Sequence, residues 1–115
     1  MKTFKNAAAQ GDLMLRKIES VPANAVPVKA DNGVYVLAHS ETGHNHVVME
    51  RPGVTLLRDP VDQFRGFLIV SGEPAELQHL RGHDTHETIA IQPGMYELRR
   101  QREYDAFEGA RRAQD

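Results

Sequence analysis

The sequence predicts a mainly β protein, a small single-domain β-barrel or two-sheet sandwich with a short C-terminal helix or tail. Three observations carry that expectation. Short runs rich in Val, Ile, Leu and Tyr recur at 34–39, 54–57, 67–70 and 88–91. Turn-forming clusters separate them, at Asp31-Asn32-Gly33, Arg51-Pro52-Gly53, Ser71-Gly72 and Gln92-Pro93-Gly94. Helical periodicity is confined to one short stretch and the tail. A length of 115 residues suits one domain with one modest core.

Each element has its own reason. Residues 1–10 read as a flexible lead-in, with a short helical turn through Ala7-Ala8-Ala9. Gly11-Asp12 opens a strand over 13–18. Residues 21–27 hold Pro22 and Pro27, which exclude a central strand or helix interior and leave an ordered loop. Asn32 and Gly33 tolerate positive φ and turn the chain into the strand at 34–39. Val47-Val48-Met49 forms the next strand, 54–57 another after the Pro52-Gly53 turn, and 67–70 a further one. Over 73–80, Pro74 fits the first turn of a short helix, Leu77 and Leu80 have helical spacing, and Gly82 would end it. The strand at 88–91 is expected to form a hairpin with 95–101. The β domain thus spans 11–104, and 105–115 is a charged tail with a short helix over 106–113. Gly11-x-x-x-Leu15-Arg16-Lys17 is echoed by Gly94-x-x-x-Leu98-Arg99-Arg100, which suggests that the first and last strands are neighbours closing a barrel.

Composition narrows the function. Apolar residues make up 40%, charged residues 26%, and the formal net charge is −2, which gives no sign of a nucleic-acid or membrane partner. No apolar run approaches the ~20 residues of a membrane span, and the N-terminus lacks the apolar core of a signal peptide. Cysteine is absent, which fits a cytoplasmic protein and excludes thiolate ligands. Trp is absent and aromatics are 6%, too few for a stacking surface. The arginines of residues 97–115 are matched by acids, so that stretch forms no phosphate-binding stripe.

The histidines carry the chemistry. His44 and His46 are two apart, which on a strand places both imidazoles on one face, with Glu50 on the same face by parity. His83 and His86 are three apart and need a turn to converge, which Gly82 and Asp84 allow; Glu87 follows directly. Together His44, His46, His83 and His86 are expected to hold a divalent transition metal, Zn, Fe, Mn or Ni. Glu50 and Glu87 are the candidate catalytic carboxylates, as general base or as orienters of an imidazole. His39 and His79 take supporting roles. Hydrolase, isomerase and oxygenase chemistry all suit such a site, with a small molecule as partner. The rival expectation is a non-catalytic interaction or assembly module, self-associating as a homo-oligomer, whose histidines cap loops.

Two resemblances follow from these residues. His44-x-His46-x-x-x-Glu50 is similar to the first metal motif of the cupins, small β-barrels in which two histidines and a following glutamate supply three ligands. The second cupin motif has no counterpart here, because no histidine follows Pro93-Gly94. More of the chain resembles an uncharacterised family of small bacterial proteins. The residues concerned are Gly11-Asp12, Asn32-Gly33, Gly43 to His46, His83 to His86, Pro93-Gly94-x-Tyr96 and Arg100-Gln101-Arg102-Glu103-Tyr104. In that family two acids separate the paired histidines; here Thr85 stands for the second. The resemblance implies a shared fold and a shared site, without a substrate.

Overall fold

A computed structural model of the chain describes residues 1–38, 45–79 and 87–100. Among these residues ten strands run in order: β1 (Ala7–Gln10), β2 (Leu13–Ile18), β3 (Val26–Pro27), β4 (Val34–Ala38), β5 (His46–Met49), β6 (Val54–Arg58), β7 (Arg65–Val70), β8 (Ala75–His79), β9 (Ile89–Ile91) and β10 (Gly94–Arg100). They form two antiparallel sheets. One has the order β1-β2-β10-β7-β6-β3 and the other β4-β5-β8-β9. This is a two-sheet sandwich; among the described residues the sheets do not close into a barrel.

Period-two alternation builds the core between the sheets. The six-stranded sheet contributes Leu13, Leu15, Leu56, Leu68, Tyr96 and Leu98. The four-stranded sheet answers with Tyr35, Val48, Leu77, Ile89 and Ile91, all in the same buried cluster. At roughly 1.5–3 kcal/mol for each large apolar side chain taken from water, this face is the main force holding the sheets together. The strands bearing the echoed Gly-Leu-basic pattern are neighbours: β2 and β10 pair antiparallel with Leu15 opposite Leu98.

Four local expectations meet a different structure. Ala7–Gln10 is a strand in place of the helical turn, joined to β2 by the tight Gly11-Asp12 turn, with Gly11 at φ 60°. Its ladder with Leu13 to Arg16 supplies hydrogen bonds that one isolated turn of helix would lack. The stretch at 75–79 is a strand, because Ala75 and Leu77 alternate into the core while Glu76 faces solvent. The helical spacing of Leu77 and Leu80 is a weaker signal than the alternation over 75–77. β9 and β10 do not form a hairpin: β9 pairs with β8, and β10 crosses to the other sheet between β2 and β7. The other edge of β9 meets the N-terminus, where Lys2 N–H donates to Thr88 O and Ala90 N–H donates to Lys2 O. The crossover is tied by Tyr96, whose hydroxyl donates to Gln92 O at 2.6 Å. Finally, Val26–Pro27 makes a two-residue edge strand within the expected loop, a place where the missing N–H of proline is tolerated. The helix expected at 106–113 lies outside the described residues. Among those residues, no helix is long and apolar enough to cross a membrane.

Candidate functional site

The first residue of β5 is His46, and its pairing partner is His79, the last residue of β8. Their rings stack face to face, with centroids 4.2 Å apart and planes 7° from parallel. His46 is 2% exposed. Its Nδ1 lies 2.8 Å from Gln10 Oε1. Gln10 is itself buried, and its Nε2 donates to Leu77 O at 3.1 Å and to Glu87 O at 3.0 Å. Two carbonyls around the amide nitrogen leave the amide oxygen facing the imidazole. An amide oxygen only accepts, so His46 Nδ1 carries the proton and donates. In the neutral ring the lone pair is then on Nε2, which lies 3.4 Å from Asp12 Oδ1. Asp12 sits in the β1–β2 turn, and its side chain is 50% exposed.

The topology explains the meeting. Gln10 ends β1 and stands opposite Leu13, so it continues the inward row of the six-stranded sheet toward β5 and β8. The chain enters β5 where it leaves β8, because the two strands are antiparallel and His46 faces His79. Residues 39–44 connect β4 to β5, and 80–86 follow β8. Both connections therefore attach at the same end of the four-stranded sheet.

His44, His83 and His86 lie outside the described residues, as does His39. Of the four imidazoles assigned to a metal, His46 is described, buried at the start of β5. Glu50 is exposed and follows the far end of β5, its N–H donating to Gly33 O. Four residues of extended chain span about 13 Å, which sets His46 and Glu50 at opposite ends of β5. Glu87 touches the site through its backbone, by the bond to Gln10, while its carboxylate lies 3.6 Å from the Met1 ammonium. Three contributors were not legible as site residues. Gln10 lies 36 positions from His46 and carries no motif. Asp12 read as opening the strand at 13–18, and His79 as a supporting residue. Among the described residues, no three His, Asp or Glu side chains group so as to hold a metal ion.

A family profile described as "Domain of unknown function (DUF8820)" matches residues 9–101. No curated protein matches the chain, and no solved structure does.

Proposed function

We propose that this chain, which belongs to the DUF8820 family of unknown function, binds a divalent transition metal at the end of the four-stranded sheet where His46 faces His79. One observation carries the proposal: the bond from Nδ1 to Gln10 suits His46 to act as a ligand. Metal-bound imidazoles ordinarily donate their other ring N–H to a fixed acceptor, which sets the tautomer. Gln10 does this for His46 at 2.8 Å and directs the Nε2 lone pair toward Asp12. Two neighbouring ligand atoms at ~2.0–2.1 Å from an ion of four or five ligands stand roughly 2.9–3.6 Å apart. His46 Nε2 and Asp12 Oδ1 are 3.4 Å apart. The remaining ligands we assign to His44, His83 and His86, whose segments attach at this end.

An ion held by imidazoles and one carboxylate would polarise a substrate oxygen or acidify a bound water. Glu87, whose carbonyl meets Gln10, is then better placed than Glu50 to move a proton. The absence of cysteine agrees with the cytoplasm, the compartment we propose.

Titration of the purified chain with Zn2+ and Ni2+, with metal analysis of the protein as isolated, tests the proposal. One ion per chain is expected, with binding lost in His46→Ala and in His44→Ala/His86→Ala. A folded wild-type protein that takes up no Zn, Ni, Mn or Fe would sink it. The burial of His46 between Gln10 and Asp12 favours a second reading, an interaction or assembly module in which the imidazole only joins strands. That reading expects no metal and a loss of thermal stability in His46→Ala.

A further inference from the structure

The inward face of the six-stranded sheet does not stay apolar to its end. Pairing carries Arg58 across Gly66 to Leu98. By strand parity Arg58 continues the inward row of Val54 and Leu56, and Arg100 continues that of Tyr96 and Leu98. Between the sheets at this place lies a cavity of about 230 Å3, with Leu13, Val28, Val36, Leu56 and Leu98 among its walls. Gly66 stands in the same row and has no side chain to fill it.

Three arginines also line this cavity: Arg58, Arg65 and Arg100. Arg65 is neutralised by Glu97 at 2.6 Å and Asp59 at 3.1 Å. Arg58 and Arg100 enter no ion pair among the described residues. Arg100 lies instead over the Phe64 ring, 4.7 Å from its centroid. The Phe64 backbone oxygen also accepts the Arg100 backbone N–H at 2.9 Å, which fixes this end of β10 beside the ring.

We propose that this cavity binds a small amphipathic anion, its apolar body between the sheets and its carboxylate on Arg58 and Arg100. Size sets the class. An apolar cavity of ~150 Å3 holds benzene, so in proportion this one takes a body of about nine heavy atoms. Charge sets the head group. Two guanidiniums without carboxylate partners among the described residues, at the edge of an apolar space, favour a planar anion with two acceptor oxygens. The inference stands apart from the metal site and uses none of its residues.

Octanoate is the probe, with octanol as its uncharged counterpart, each titrated calorimetrically into the full chain. Octanoate is expected to bind one to one, and octanol about tenfold or more weakly. Arg58→Gln/Arg100→Gln is expected to reduce octanoate binding by about tenfold or more and to leave octanol unchanged. Val36→Phe fills the space and is expected to abolish binding of both, with thermal melts confirming that it folds. Val28→Phe serves if it does not. No octanoate binding by the wild type, equal binding of octanol, or an unaltered double glutamine variant would each overturn the proposal.

Discussion

At His46 the proton's position is decided by Gln10, a residue 36 positions away in sequence. The same Gln10 side chain bonds to Leu77 O and Glu87 O, so it ties β1 to β8 and to the residues preceding β9. Its replacement therefore has two separable effects. Gln10→Leu leaves buried acceptors without donors and is expected to cost about 2–3 kcal/mol, read from urea unfolding. It also releases the tautomer of His46 and is expected to weaken Zn2+ binding by about 10–100-fold. Unchanged zinc affinity in a folded Gln10→Leu protein would count against His46 as a ligand. Glycine conformation supplies a second test at this scale. Gly53 has φ 95°, and a Cβ there would lie 2.7 Å from Ser71 O; Gly72 has φ 81° and open space around it. Gly53→Ala should cost more than the ~1–2 kcal/mol of left-handed backbone strain that Gly72→Ala meets alone, as thermal melts would show.

Among the elements, β10 has a double burden. Its inward side chains, Tyr96 and Leu98, build the core. On its other face Glu97 is 6% exposed and gathers Arg16 at 2.9 Å and Arg65 at 2.6 Å, one from each neighbouring strand. Burial pushes the Glu97 carboxyl up, but hydrogen bonds from Arg65 and Arg16, and their charges, outweigh it and hold the group below its usual value of 4.5. A carboxyl depressed in the folded state stabilises the fold fully above its unfolded value and loses that stabilisation as pH falls through the folded one. The stability gap between wild type and Glu97→Gln is thus expected to be constant near neutrality and to narrow below about pH 4.5. Urea midpoints across that range measure it, and a gap that widened in acid would contradict the ion-pair account. Leu77 gives β8 its place by packing at 0% exposure. Leu77→Ala is expected to cost about 2–5 kcal/mol in the same unfolding assay.

Across the whole molecule, the order β1-β2-β10-β7-β6-β3 puts strands from opposite ends of the chain side by side in one sheet. Arg16 and Glu97 meet across 81 positions. Such pairing closes long loops, which slows folding. It also sets where the native state opens. Amides of β10, paired on both sides, should exchange with solvent most slowly, and those of the two-residue edge strand β3 among the fastest. Hydrogen exchange resolved by residue checks this; rapid exchange along β10 would mean that the two sheets separate readily.

Strand alternation, turn residues and the Gly-Leu-basic echo were enough, from the sequence alone, to indicate a β protein, the bounds of β2 at Leu13–Ile18, and the β2–β10 neighbourhood. These signals are local, or repeat a local pattern, and the backbone obeys them wherever the chain lies. Tertiary structure decided the rest. It made 75–79 a strand and sent β10 to the opposite sheet, because burial of Leu77 against one sheet and of Tyr96 within the other depends on partners far along the chain. It also joined Gln10 and Asp12 to His46. Histidine spacing marked His46 as a residue to watch, whereas its proton and its carboxylate neighbour came from a strand end and a turn that only the packed sheets bring to it.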